Sequence, residues 1–521
     1  MISTAMRKLC FIFLCIPEVL FAQQAPVLSW QKTLGGTGYD MANCIIQTSD
    51  GGYAVAAYET SDDGDATGNH GSGDAWIVKL DAAGTVSWKK CFGGSGDDYA
   101  NWIIQTSDGG YIFAGKTSST DGDVSGFHGG EFDAWVLKLD ASGVIQWQKC
   151  YGGSDYDQAN HITATHDGGY ILCGVSYSHD GDVKGNHDGP GDAWFVKIDS
   201  LGNIQWQKCV GGTGNDEAIS IIQTVNGEYA AAGRTTSHDG DITKFHGGDY
   251  DAQVIVLDSS GNLKRQTCYG GDSTEHFHSI VQTSDGGYIC SGHTTSNDQD
   301  VSGFHGGFED GWIVKTDSAG KIEWQKCLGG SGDDGIYSIQ QLPDGYAGAG
   351  WSSSTDGDVS GGHGDDDLWA VKLSLNGKVQ WQKCLGGSQS ENANSIVLTS
   401  NGGYAVAGFT NSSDGDVLGY HGGEDAWITI LMPASSVNDA PKNFSGIFEM
   451  YPNPTNGMIT VYNTSTISHI AIENLFGETV KNFRNLPESD FTLDLSELPA
   501  GTYFARFSVP GSVITRKIIR D

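Results

Sequence analysis

The chain has 521 residues (55.3 kDa), with 76 Gly against only 11 Pro. It is too large for one ordinary core and lacks the three-residue Gly period of collagen. Its 64 acidic and 29 basic side chains give a net charge of −35, the wrong sign for binding nucleic acid or an anionic membrane surface. Residues 23–436 hold 54 of the acids and 20 of the bases. Glycans, cations and neutral protein surfaces remain as ligand classes.

Residues 1–22 read as a signal peptide: Arg7 and Lys8 precede an apolar run at 9–21 that ends in Ala22. A 13-residue run holding Pro17 and Glu18 is too short to span a bilayer. No other long apolar run exists, so no transmembrane segment is expected and the mature chain is read as exported. Nine Cys follow the signal, six of them in one repeat column: Cys91, Cys150, Cys209, Cys268, Cys327 and Cys384. Without a Cys-x-x-Cys pair they read as buried small hydrophobes.

Self-similarity dominates residues 26–433. Trp-Gln-Lys or a close variant begins at Trp30, Trp88, Trp147, Trp206, Trp324 and Trp381, with Arg265 in the remaining slot. Asp-x-Trp recurs at Trp76, Trp135, Trp194, Trp312, Trp369 and Trp427, with Gln253 as the exception. The period is 57–59 residues, giving seven units. Each unit holds four runs rich in β-branched and aromatic residues, in unit two at 103–106, 111–116, 134–139 and 144–150. Ser107-Asp108-Gly109-Gly110 joins the first pair and Asp140-Ala141-Ser142-Gly143 the second, both tight-turn chemistry. Four antiparallel strands (a to d) per repeat are the makeup of a β-propeller blade. The chain opens on a lone fourth strand at 28–34 and closes on a third strand at 426–431. The N-terminal strand is therefore expected to complete the seventh blade. The stretch 139–147 resembles the docking repeat of quinoprotein propellers, without their adjacent Cys-Cys pair and with seven blades in place of eight.

Minimal a–b and c–d turns share one face; the Gly-rich d–a loops (93–99 in unit two) and long b–c loops (118–132) share the other, the candidate functional surface. Constant columns there are Asp-x-Asp (Asp121/Asp123 and Asp356/Asp358, for example), a His (His70 to His421) and the Asp opening strand c. A further acid follows the d–a glycines (Asp40, Asp98, Asp157, Asp216, Glu275, Asp334, Glu391). Loop bracing is the favoured reading, with a His bridging to the strand-c Trp much as WD-repeat propellers clamp Asp, His and Trp. Calcium at Asp121, Asp123, Asp356 and Asp358 is the alternative, and no other cofactor is expected. Zinc is disfavoured because this column supplies one His per blade.

Blade-specific columns are the recognition candidates. One ends strand b: Tyr58, Lys116, Val175, Arg234, His293, Trp351 and Phe409. The other, Cys44, Trp102, His161, Ser220, Ser279, Ser338 and Ser395, is expected to ring the channel mouth. From these, Tyr58, Trp102, Lys116, His161, Arg234, His293, Trp351 and Phe409 suit a glycan or protein ligand. No Gly-x-Ser-x-Gly elbow, His-Glu-x-x-His or Walker loop occurs, so no catalytic residue is assigned. A non-catalytic binding or adhesion module is the preferred reading; a glycoside hydrolase-like extracellular enzyme is the rival.

Residues 434–448 read as a linker. Beyond it stand Tyr451-Pro452-Asn453-Pro454-Thr455-Asn456-Gly457, Asn474-Leu475-Phe476-Gly477 and Leu498-Pro499-Ala500-Gly501-Thr502-Tyr503, before a basic terminus with Arg516, Lys517 and Arg520. These segments, in this order, resemble the C-terminal sorting domain of type IX secretion cargo in Bacteroidetes. The resemblance implies a small Ig-like β-sandwich at 449–521, recognition by the outer-membrane translocon and its sorting peptidase, and surface attachment or release. Phe476 stands where that family usually has a polar residue.

Overall fold

Turn glycines set the hairpins. Gly109 and Gly143 adopt φ of 82° and 74°, left-handed conformations that a residue with a Cβ enters at a cost. Within strand b of the second repeat, a Cβ on Gly115 would lie 1.8 Å from the Tyr99 carbonyl oxygen, so only Gly lets the two backbones approach.

In the computed structural model these hairpins build an all-β chain. It describes residues 24–434 and, further on, 448–451, 457–463, 469–474, 479–484, 491–499, 501–509 and 512–520. The expected signal peptide, most of the linker, and Pro452, Asn453, Pro454 and Asn456 lie outside the described residues. The chain divides into two compact units, Met1–Met432 and Pro433–Asp521. Among the described residues no helix is long and apolar enough to cross a membrane.

The first unit holds seven four-stranded antiparallel sheets. Blade one runs from strand a (Asp40–Gln47) through b (Tyr53–Glu59) and c (Asp74–Leu80) to d (Val86–Phe92). Each strand a packs against the a strands of both neighbouring blades, and this inner ring closes between blades seven and one. Blade seven takes its fourth strand from Val27–Leu34, paired antiparallel with Asp425–Met432, as the repeat phase predicts. Two further bonds lock that closure: Trp427 Nε1 donates to Gln31 Oε1 at 2.7 Å, and Asn394 Nδ2 to the Ala42 carbonyl at 3.0 Å.

The core lies between blades. Six strand-c tryptophans, Trp76 to Trp427, are almost wholly buried. In five of them the indole N–H partner is the Gln of Trp-Gln-Lys (Trp135 to Gln148, 3.0 Å) and not the loop His. In blade one Lys89 replaces that Gln, and the Trp76 N–H has no hydrogen-bond partner among the described residues. The nine described cysteines are free thiols, all buried except the half-buried Cys91.

In the second unit, Phe448–Tyr451, Met458–Asn463 and Phe491–Asp494 form one sheet. His469–Glu473, Thr479–Arg484, Gly501–Val509 and Ser512–Arg520 form the other. Ile459, Val461, Ile470, Ile472, Leu493, Phe507 and Ile518 meet in one core, the small two-sheet sandwich expected.

Candidate functional site

Every strand a carries a β-bulge at its fourth residue, where the register to strand b shifts. A bulge aims an extra side chain away from the regular alternation. The seven bulged residues, Asn43, Asn101, Asn160, Ile219, His278, Tyr337 and Asn394, all line one central cavity of about 330 Å³.

This moves the channel column by one residue. The expected column is mostly buried: Ser220, Ser279, Ser338 and Ser395 accept backbone N–H groups from the neighbouring blade, as with Ile396 N to Ser338 Oγ at 3.2 Å. Cys44 is likewise wholly buried. Only Trp102 and His161 of that column line the cavity, their rings stacked with centroids 4.1 Å apart. In four blades the bulged Asn ties the ring together, as with Asn101 Nδ2 donating to the Ala159 carbonyl at 2.9 Å. Blades four to six carry Ile219, His278 and Tyr337 instead, which frees that sector for other chemistry.

The strand-b column pairs directly with the second residue of strand a. Tyr58, Lys116 and Arg234 of this column sit in a half-buried belt of rings across blades one to four, whereas Val175 and His293 are buried. Tyr58 stacks on Tyr99 at 4.0 Å and 5°. Lys116 places its ammonium over Tyr99 and Phe132 at 4.7 and 4.5 Å, in cation–π range. Phe132, Tyr156 and Tyr177 continue edge to face. Arg234 lies 4.9 Å from the Tyr250 ring and is held by Glu217 at 2.8 Å. Arg234 and Glu217 line the central cavity and also a second one of about 410 Å³ that holds Val175, Tyr156 and Tyr177. Trp351 packs beside Gly335, where any Cβ would come within 2.9 Å of the indole nitrogen. Phe409 occupies the same register opposite Asn392.

Blade five departs furthest. His276 and His278 on strand a (Glu275–Gln282) meet His293 on strand b (Tyr288–Thr294). One nitrogen or more of each lies within 4.8 Å of the others. Burial keeps these imidazoles neutral, lowering His276 to about 2, His293 to about 4 and His278 well below its ordinary value. Glu309 stands 3.3 Å from His293 Nε2 and is lifted to about 7 by burial and the nearby Asp333 and Asp334 charges. The expectation of one His per blade overlooks this group, because His293 is fifteen and seventeen residues from its partners and meets them only through strand pairing. His276-Phe277-His278 on a strand is the available signal.

The repeated polar columns stitch loops together. The acid expected on the loop face instead opens strand a and is buried. Asp98 accepts from Gly94 N at 2.8 Å, from Ser119 Oγ at 2.7 Å and from Thr117 Oγ1. Asp121 and Asp356 accept the d–a loop N–H groups of Ser95 and Ser331, each at 2.7 Å, while the backbone N–H groups of Asp123 and Asp358 donate to Gly93 and Gly329 at 2.8 Å. His128 donates through Nδ1 to Asp133 at 2.7 Å, and its Nε2 lies 3.8 Å from Asp182 in the next blade. In five blades the loop His thus lies between two carboxylates, and its ring partners are carboxylates, not the tryptophan.

In the sandwich, the Tyr503 hydroxyl donates to the Pro499 carbonyl at 2.8 Å, fixing the turn through Leu498 and Gly501. Comparison with known families matches residues 449–521 to the secretion system C-terminal sorting domain. Residues 449–521 are a type IX sorting domain. The type IX system acts on this chain, which is exported cargo, secreted or attached at the cell surface. Regulatory protein FlaEY of Caulobacter vibrioides is 25% identical over 236 residues, a match covering 40% of this chain and only 25% of that protein. Among solved structures, the Pan2 WD40 domain of Neurospora crassa is 10% identical with a TM-score of 0.41, covering 77% of this chain and 95% of that one. PorZ, a surface component of the type IX secretion system of Porphyromonas gingivalis, is 9% identical with a TM-score of 0.29 and covers 96% and 86%.

Deleting residues 449–521 should leave the propeller inside the cell while its melting temperature stays unchanged. Surface labelling and fractionation check this, and unaltered surface display of the truncated chain would count against the sorting role.

Proposed function

We propose that this cargo is a non-catalytic binding module that holds an extracellular glycan at the d–a/b–c mouth of the propeller, delivered by a bacterium of the Bacteroidetes type. The observation supporting this is the ring belt. Tyr58, Tyr99, Phe132, Tyr156, Tyr177 and Tyr250 follow one another across four blades, half-exposed and interleaved with Lys116, Arg234 and Glu217. Aromatic faces suit the apolar faces of sugar rings, and a few convergent polar groups set their orientation. Belt residues differ from blade to blade, whereas the loop-bracing residues repeat. A single ligand-binding patch on a pseudo-symmetric ring requires that asymmetry. After export, the sorting peptidase removes the sandwich and leaves the propeller at the surface.

Glycan-array screening of the purified chain tests the reading. Trp102→Ala and Arg234→Ala should each weaken a bound glycan roughly tenfold or more with unchanged melting. Retention of no glycan by the wild type, or binding by both variants unchanged from the wild type, overturns it. The rival enzyme reading rests on Glu309, a carboxyl lifted to about 7 beside a cavity. Product release abolished by Glu309→Gln would establish catalysis instead.

A further inference from the structure

We propose that blade five carries a transition-metal site, best suited to zinc, whose ligands are His276, His278 and His293. Strand geometry creates it. Phe277 points into the core and is wholly buried, so alternation sends His276 and His278 to the opposite face. His293 pairs directly with His276 across the ladder and shares that face. The register shifts at His278, whose ring lies beside that of His293 with centroids 5.2 Å apart.

The distances fit. His278 Nε2 lies 3.3 Å from His293 Nδ1, close to the ~3.3 Å edge of a tetrahedron built on Zn–N bonds of about 2.0–2.1 Å. Candidate ligand nitrogens of all three rings already fall within 4.8 Å of one another, so small side-chain rotations complete the set. Glu309 Oε2 stands 3.3 Å from His293 Nε2. A carboxylate at that place favours the tautomer with its proton on Nε2 and its free lone pair on Nδ1, the arrangement in which a carboxylate orients a metal-bound imidazole. His276 Nε2 is buried and has no hydrogen-bond partner, a costly state for a ring nitrogen that a metal would relieve. Arg234 Nη1 lies 3.5 Å from His276 Nδ1, and Glu217 neutralises the guanidinium at 2.8 Å. Ligation through Nε2 requires the His276 tautomer with its proton on Nδ1, and so a small shift of the guanidinium away from that atom.

None of the three positions holds His in any other blade, so the cluster is not a by-product of the repeat. Three protein ligands leave a fourth position open. His278 lines the central cavity and His276 and His293 the adjoining one with Glu309. A water, or an oxygen or nitrogen donor of a bound ligand, can reach that position.

The full chain, stripped with chelator, is titrated with zinc by calorimetry and with cobalt by visible absorption. One equivalent per chain and the bands of tetrahedral cobalt are expected. His278→Asn and His293→Val install residues that other blades carry there (Asn160, Val175), so the variants should fold, which melting checks. Each should abolish stoichiometric uptake, Glu309→Gln should weaken it ~10–100-fold, and His305→Ala in the repeated column should leave it intact. Absence of uptake by the wild type, or unchanged uptake by folded His278→Asn and His293→Val, overturns the site.

Discussion

A chain lacking Val27–Leu34 is expected to lose cooperative melting and to partition into aggregates, although every residue from Gly35 onward remains untouched. Those eight residues are the whole outer strand of blade seven, paired from Val27 with Met432 to Leu34 with Ala426. Their removal strips the Asp425–Met432 ladder and exposes a strand edge that templates association. It also orphans the buried Trp427 N–H, whose acceptor is Gln31, and removes Trp30 from its edge-to-face contact with Tyr53 of blade one. Leu34, wholly buried, leaves a void between blades seven and one. A rescue variant decides whether ring closure is the cause. Re-inserting residues 27–34 between Met432 and Pro433, behind a copy of the Asp140-Ala141-Ser142-Gly143 turn, completes blade seven from the other side and should restore the transition. A truncated chain that melts like the wild type would show that the strand is an accessory.

That closure is legible in the amino-acid sequence because it depends on repeat phase alone: a lone d strand at one end, a missing one at the other. The inner face is harder to read. Strand alternation places Cys44, Trp102 and His161 in one column, but a bulge before each turns Asn43, Asn101 and Asn160 into the cavity, which only Trp102 and His161 of the expected column also line. Only a register compared with strand b reveals that offset. The buried acid column escapes for a related reason. Asp98 follows a Gly-rich stretch and reads as loop, yet three donors converge on it and draw it into strand a. The aromatic belt is legible through Tyr58 and Lys116, whereas Tyr99, Phe132 and Tyr156 enter it from loops and strand ends that no single column joins. The Gln of Trp-Gln-Lys is the indole acceptor, a pairing across strands c and d thirteen residues apart that no pattern along one strand displays.

Blade one breaks the acid network in a way that carries a prediction. Elsewhere a Thr or Ser at the end of strand b donates to the acid opening strand a, as Thr294 does to Glu275 and Thr410 to Glu391, both at 2.7 Å. Blade one has Glu59 there, wholly buried, and the Asp40 Oδ1 that should receive the hydroxyl has no partner. Burial, with the Asp40, Asp74 and Asp62 charges adding and the Cys91 thiol partly opposing, lifts Glu59 from 4.5 to about 7. An acid whose folded pKa is raised binds its proton more tightly folded than unfolded, so stability falls as pH rises from about 4.5 to about 7 and stays lowered above that. The full shift corresponds to about 3 kcal/mol as an upper bound. Glu59→Thr removes that penalty and supplies the missing donor to Asp40, while the smaller side chain gives back part of the gain through lost packing. The variant should therefore melt several degrees above the wild type at pH 8, with the difference shrinking towards pH 4.5. Thermal melts of both proteins at the two pH values decide the matter. An equal difference at both would mean that ionisation of Glu59 is not what strains blade one, and a lower melting temperature at pH 8 would mean that packing around Glu59 outweighs its charge.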